Sequence, residues 1–424
     1  LQEYPAHRVV RAVRALKIIG SPYGAVAQDD KNNFSPRIGF AWDIKGNARS
    51  VVRGGYGIYY DQSFLNVPLF AVQQANPEIY ANFTNDDDNL AIDSLPPAIP
   101  RPLTNPLPKS RGRFIDPHFV SPYTQQWNMG FAQEVGRNMA LEFDYVHILG
   151  LHEFSSLDVN PKIGPLINAQ RSNSVSARVL DAAFAAHAAE LLGAFGTATP
   201  YARITAAQSV GRSRYDAFTA SFKKRYANKY QLNAHYTLAK GQAWYGQTAD
   251  FGNQPQNIFD PWNRLENFGP TDADERHRFV VSGIFDLPWG FQVAPILQLA
   301  SARAYSIFPS CGCDINRDGV TVDHDSAKPG VDDQHHLPIN NHRGDKFSQL
   351  NVRVSKFFNF GEQRKLGLFF EAFNVFNTAN FGREFQNVTG SPDFGKPINF
   401  FGATGFSEPL GIPFQAQFGA RFSF

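Results

Sequence analysis

The chain has 424 residues, 43% of them hydrophobic and 18% charged, which excludes a disordered polypeptide. Its net charge of +2, from 40 Lys and Arg against 38 Asp and Glu, contains no polybasic block and argues against nucleic acid as a partner. No run of about 18 apolar residues is present, which excludes helical membrane spans but not a transmembrane β-barrel, whose strands alternate.

Aromatic residues make up 14% of the chain, with 39 Phe and 15 Tyr, and favour strands. Residues 1–34 carry no clear pattern and are expected to be an extracellular loop or an ill-defined N-terminal segment. From there on, period-two alternation recurs to the end. Ile38, Phe40 and Trp42 share one face against Arg37, Gly39 and Ala41. Val52, Tyr56, Ile58 and Tyr60 oppose Arg53, Gly55 and Gly57. Trp127, Met129 and Phe131 oppose Gln126, Asn128 and Gly130; Leu141, Phe143 and Tyr145 oppose Glu142 and Asp144. Leu232, Ala234, Tyr236 and Leu238 oppose Asn233, His235 and Thr237. Val352 and Val354 oppose Arg353. The spacing predicts eleven strands, at 35–43, 51–60, 122–134, 139–149, 213–224, 231–240, 277–286, 291–301, 346–358, 365–376 and 413–424. Each has about ten residues, enough to cross a bilayer at a tilt.

Short connections (44–50, 135–138, 225–230, 287–290, 359–364) alternate strictly with long ones (61–121, 150–212, 241–276, 302–345, 377–412). A soluble sandwich has no reason to put every long loop at one end, whereas an outer-membrane barrel has short periplasmic turns and long extracellular loops. Within the long connections, 176–195 reads as one amphipathic helix and 86–108 as irregular loop. The last strand places Phe414, Phe418, Phe422 and the terminal Phe424 on one face, with Ala416 and Ala420. An ordinary amphipathic edge strand is the bland alternative, but such a face on a soluble protein invites aggregation. A membrane-insertion strand is the favoured reading. The expected fold class is thus all-β, an antiparallel up-and-down transmembrane β-barrel over 35–424. An odd strand count, against the even counts of bacterial barrels, leads to the expectation that this is the C-terminal part of a larger wall.

Five segments carry a family resemblance: NNFSPRIGFAWD (32–43), VVRGGYGIYYDQ (51–62), SPYTQQWNMGFAQEV (121–135), RHRFVVSGIFDLPWG (276–290) and FEAFNVFNTANFG (370–382). In this order, closing on a terminal Phe, they resemble TonB-dependent outer-membrane receptors, most closely the Oar-like subgroup. The resemblance implies a 22-stranded barrel, of which about 11 strands lie here, filled by an N-terminal plug. It also implies outer-membrane lipid, the barrel-assembly machinery, the TonB complex acting through an upstream plug, and an unknown extracellular ligand as partners. The location implied is the outer membrane of a Gram-negative-type bacterium, and the activity is uptake of a large or scarce solute. No plug and no TonB-binding segment are found in this sequence.

One loop has metal-ligand spacing. In DINRDGVTVDHD, Asp314, Asn316 and Asp318 stand at positions 1, 3 and 5 of an EF-hand-like loop, with Val320 offering a carbonyl at 7 and Asp325 at 12. Calcium in loop 314–325 and a merely solvated polar loop both fit; Asp325 is a shorter arm than the usual Glu, and no flanking helices are evident. His335, His336 and His342 lie beside Asp332 and Asp333, yet nothing fixes ligand geometry, and a solvated loop is preferred. Cys311 and Cys313 admit a strained local disulfide, which is slightly favoured, or two free thiols. Arg37, Arg53, Glu142, Asp144, Asn233, His235, Arg353 and Glu371 are expected on the lumen face. Tyr59, Tyr60, Trp127, Tyr145, Trp244, Tyr245 and Trp289 suit interfacial girdles. No GxSxG, HExxH or phosphate-binding GxxxxGK[ST] occurs, so an enzyme is the least expected class. Two alternatives to a receptor remain: a surface adhesin without transport, and a secreted soluble β-rich binding protein.

Overall fold

Alternation of period two dictates extended backbone. The computed structural model describes residues 11–25, 28, 30–61, 110–163, 166–167, 170–171, 177–244, 268–308, 339–340, 342–361, 364–402 and 411–424. All eleven predicted stretches are strands in it: β1 (Arg37–Asp43), β2 (Ser50–Tyr60), β3 (Tyr123–Gly136), β4 (Met139–Asp158), β5 (Tyr201–Ala227), β6 (Tyr230–Trp244), β7 (His277–Leu287), β8 (Phe291–Ala300), β9 (Phe347–Phe360), β10 (Arg364–Phe373) and β11 (Gln415–Ser423). Each pairs antiparallel with the next, so sheet order follows chain order from β1 to β11. Among the described residues β1 and β11 do not pair with one another, and the sheet is open.

The short connections are tight because their residues accept left-handed backbone. Asn228 and Lys229, with φ of 55° and 69°, form a two-residue turn between Ala227 and Tyr230. Positive φ at both central positions is what a twisted hairpin needs. Between β3 and β4 a single turn residue, Asn138, takes the left-handed conformation, at φ 65°. The β1–β2 turn is held by Asp43, whose carboxylate accepts from the Ala48 amide at 2.5 Å and the Lys45 amide at 3.3 Å.

The long-connection end differs from the sequence expectation in four ways. First, β4 and β5 run well past residues 149 and 213, so much of 150–212 is ladder rather than loop. Ser155 to Asp158 and Ile204 to Gln208 are buried residue after residue, and with both faces covered the alternation that marks a strand disappears. Second, a strand at Ser110–Ile115, inside the expected loop 61–121, pairs parallel with β5, setting Phe114 against Ala206. It occupies the edge that β6 leaves open, since β6 ends at Trp244 and its pairing with β5 starts at Ser213. Backbone groups there would otherwise lack partners. Third, the single helix expected over 176–195 is two, α2 (Asp181–Ala186) and α3 (Ala188–Phe195), parted at His187 and stopped by left-handed Gly196 at φ 69°. Fourth, the N-terminal segment contains a helix, α1 (Arg11–Ile18).

These pieces form the main hydrophobic core. Ala12, Ala15 and Leu16 of α1 and Ile19 just after it recur at helical spacing and bury against Phe114, Phe184, Leu191 and Ile204. Leu16, Phe114, Phe184 and Leu191 are fully buried. Tyr23 packs on Phe114 at 5.6 Å between ring centroids, and Gln208 donates to Asp116 at 2.9 Å. Beneath this cap lie two carboxyls beyond the spanning stretch of β4. Asp158 accepts from the amides of Asn160 (2.9 Å) and Ile204 (3.3 Å), with Arg178 and Arg203 at 3.5 and 3.8 Å. Glu153 accepts from the Ser213 hydroxyl. Burial pushes both carboxyls above the usual range, against those partners.

Leu16→Ala is expected to destabilise the cap by about 2–5 kcal/mol, as buried Leu truncations do. Limited proteolysis should then cut within 11–25 and 177–200 while the wall strands stay protected. A carboxyl whose folded value is raised stabilises fully below its unfolded value and loses that contribution as pH rises through the folded value. Hydrogen-exchange protection of 11–25 and 201–208 should therefore be greater near pH 5 than near pH 8. The double variant Glu153→Gln/Asp158→Asn should flatten that dependence.

Candidate membrane belt and lumen face

Cross-strand register puts every predicted lumen residue on one face. Arg53 opposes Gly130 of β3, which opposes Asp144 of β4. Because position 130 has no side chain, the Arg53 guanidinium crosses a whole strand and lies along the Asp144 carboxylate, donating from Nη2 at 2.8 and 3.0 Å and from Nε at 3.2 Å. A Cβ at Gly130 would collide with that carboxylate. Glu142 extends the row, at 3.5 Å from Arg53 and 2.8 Å from Lys223 Nζ. Further round, His235 meets Ser221 at 2.9 Å and Thr219 meets Thr237 at 3.1 Å, with Asn233 on the same face between β5 and β7. Arg353 pairs with Glu371 at 3.4 Å and lies over the Phe369 ring at 4.3 Å, and Gln417 donates to Glu371. Arg37 stacks on Tyr59 at 4.4 Å. That contact corrects one expectation: Tyr59 belongs to the polar face and not to a girdle, since it shares the parity of Arg53.

The other face is apolar and bounded by two aromatic rows. At the short-turn end are Trp42, Tyr230, Phe285, Trp289, Phe291, Phe358 and Phe360, with Tyr230 and Phe285 stacked at 6.1 Å. Lys224 there lies over Tyr230 at 3.6 Å while donating to the Ala227 and Tyr230 carbonyls at 2.8 and 3.1 Å. Lys356 likewise lies over Phe291 at 4.7 Å and donates to the Trp289 carbonyl. Both lysines keep their stems on apolar surface and their ammonium groups at the turns. At the other end are Tyr56, Tyr60, Tyr123, Trp127, Tyr145 and Tyr236. Tyr60 and Tyr123 approach to 5.2 Å, and Trp127 and Tyr145 to 5.0 Å. Between the rows lie side chains such as Phe143 and Phe218, stacked at 6.2 Å. An apolar band flanked by aromatic girdles, with a polar opposite face, is the arrangement a lipid bilayer selects. On β11 and beside it Phe418 is 73% exposed and Phe424 94%, with Phe414 and Phe422 at 49% and 54%.

Trp244 packs on Leu157 above the wall, and Trp289 sits in the β7–β8 turn. The proposed calcium ligands Asp314, Asn316, Asp318, Val320 and Asp325 lie outside the described residues, as do Tyr245, Cys311, Cys313, Asp332, Asp333, His335 and His336. His342 is described: it pairs with Tyr305 in a two-residue ladder, and burial lowers its imidazole below the ordinary value.

Sequence reasoning missed a clasp that ties the long connections to the wall. Asp274 accepts from the Gly241 amide at 2.7 Å and from Arg343 at 2.5 Å; Asp272 pairs with Arg383 at 2.8 Å. Glu275 holds both Arg278 and Arg303, at 2.8 and 2.7 Å, and Arg303 covers the Phe401 ring. The available signal was a dense acidic run, Asp272, Asp274 and Glu275, set immediately before an alternating strand. Its arginine partners are up to 111 positions away.

Three solved structures are similar to this chain. The outer membrane transporter YddB from Escherichia coli is 14% identical, covering 82% of this chain and 37% of that one, at a TM-score of 0.48. The ferripyoverdine receptor of Pseudomonas aeruginosa, bound to ferripyoverdine, is 9% identical, covering 93% and 33%, at 0.44. A mutant of the ferric enterobactin receptor from Pseudomonas aeruginosa is 10% identical, covering 92% and 40%, at 0.46. The chain thus spans well under half the length of these proteins. No curated protein sequence matches it. Residues 9–300, well over half of the chain, match the family described as the outer membrane beta barrel domain. With its wall order, apolar belt and polar inner face, the chain belongs to that family and has its place in the outer membrane of Gram-negative bacteria.

Proposed function

We propose that this chain supplies wall and ligand-capturing loops to a TonB-dependent outer-membrane receptor that takes up a large or scarce solute. The observation that carries this reading is the wall itself. Eleven strands run in chain order, tight turns alternate with long connections, and charged side chains of β2, β4, β5, β9 and β10 share one face. Such a face suits a hydrated lumen holding a plug, and the ordered motifs of 32–62, 121–135, 276–290 and 370–382 support the assignment to receptors of the Oar-like kind. Uptake would begin with capture at the long-connection end, where the cap and the Asp274 clasp hold the loops. Coupling to the TonB complex would pass through a plug, and insertion through the barrel-assembly machinery, with Phe414, Phe418, Phe422 and Phe424 as the inserting strand. In the same reading α1 and Tyr23 belong to the extracellular cap and not to a separate unit. Outer-membrane placement removes the soluble secreted alternative.

Deleting the complete gene should give the same growth defect as deleting tonB on one limiting nutrient of a panel of ferric chelates, oligosaccharides and peptides. Wild-type growth on every member, together with lost attachment to surfaces, would favour the adhesin. Calcium at 314–325 is a separate part of the proposal, resting on spacing alone. Titrating Ca²⁺ into protein containing 305–345 should show binding that Asp314→Ala and Asp318→Ala each weaken; equal weak binding in all three would remove calcium from the reading.

A further inference from the structure

Near its long-connection end the lipid-facing surface carries a charge cluster that the transport reading does not use. One cross-strand row, Tyr56–Trp127–His147–Asp216–Lys240, runs over β2 to β6 by direct register. At its centre Asp216 accepts from Tyr145 Oη at 2.7 Å, His147 Nδ1 at 2.8 Å and Arg214 Nε at 2.6 Å. Arg212, two residues along β5, shares the parity of Arg214, and Lys240 opposes Asp216 on β6. All three cations are exposed. The side chains of Arg212 and Lys240 have no hydrogen-bond or ion-pair partner among the described residues. Three cations therefore face one carboxylate, leaving two charges unmatched by any described residue on the surface that meets lipid.

Height identifies what meets them. Arg214 stands 13 residues from Ala227 at the short-turn end of β5. At about 3.3 Å per residue and a tilt near 40°, that is about 33 Å along the membrane normal. A hydrophobic band about 25 Å tall ends below it. Phe218 and Phe222 lie within the band, Arg212 and Arg214 lie above it, and Lys240, ten residues from Tyr230 and so at about 25 Å, lies at its upper edge, at the headgroups of the outer leaflet. Tyr145 and Trp127 flank the cations on one side, and Tyr236, hydrogen-bonded to His277 at 2.8 Å, flanks them on the other. Unpaired cations bordered by amphipathic rings at this level fit a phosphoryl group carried on acyl chains.

We propose that Arg212, Arg214 and Lys240 form a binding site for the phosphorylated headgroup of an outer-leaflet glycolipid. The guanidinium groups would each give paired N–H donors to phosphate oxygens and Lys240 a point charge, while the acyl chains would lie along Phe218 and Phe143. This inference rests on outer-membrane placement and not on transport, so it stands or falls apart from the receptor reading.

The test uses the full-length protein, extracted from its own outer membrane in mild detergent and examined by native mass spectrometry. The probes are lipid A with its phosphates, the same lipid after phosphatase treatment, and inorganic phosphate. Wild-type protein should retain the phosphorylated lipid about tenfold better than the dephosphorylated one, and Arg212→Gln/Lys240→Gln should lose about that factor. The two replaced side chains are exposed and make no hydrogen bond or ion pair among the described residues, and heat-modifiable migration will report that the variant folds. Equal retention of the two lipids by wild-type protein, which needs no variant, overturns the proposal. So does undiminished retention by the folded double variant, or displacement of the lipid by millimolar inorganic phosphate.

Discussion

A bilayer offers no hydrogen bonds, so every backbone N–H and C=O that enters it must find a partner within the protein. The antiparallel ladder from β1 to β11 meets that demand at every strand edge except the outer ones of β1 and β11, and the rest of the structure follows from it. Continuous pairing fixes the register of each strand against the next. Fixed register sorts side chains into one lipid face and one inner face over the whole wall. Where pairing with β6 stops, the same demand recruits Ser110–Ile115 to the open edge of β5.

A single sheet has no interior of its own, which explains where the burial went. The largest buried cluster lies in the cap built from α1, α2, α3, Phe114 and the upper part of β5. The wall instead relies on lipid for its outer face and on paired charges for its inner one. Arg53, Asp144, Glu142 and Lys223 balance each other, and Gly130 supplies the space that lets the first two meet across a strand. The lysines at the short turns reach their own turn carbonyls, whereas Arg212 and Lys240 at the opposite end reach none.

The described ends of the long connections are anchored to the wall. Asp272, Asp274 and Glu275 tie the segment before β7 to Arg383, Arg343 and Arg303, while Asn374 and Asn380 hold the β10–β11 connection through buried side-chain bonds to backbone. Asn380 Oδ1 accepts from the Ser348 amide at 2.8 Å, and Asn374 donates to the Ile412 carbonyl at 2.8 Å.

By itself the sequence determined the eleven strands, their two faces and the alternation of short and long connections. Each of these is a local consequence of period two with one face in lipid: Ile38, Phe40 and Trp42 can only face outward if Arg37 and Gly39 face inward. Only the tertiary structure decided the rest. The upper halves of β4 and β5 carry no alternation because Ser155 to Asp158 and Ile204 to Gln208 are covered on both sides. The break at His187, the role of α1 as part of the cap, and the inward placement of Tyr59 depend on neighbours distant in sequence. So do the ion pairs of Asp274 with Arg343 and of Arg53 with Asp144, 69 and 91 positions apart. Alternation records which face a residue takes; it holds no information about which charge it will meet across the sheet, because that is set by register and by the path of the long connections.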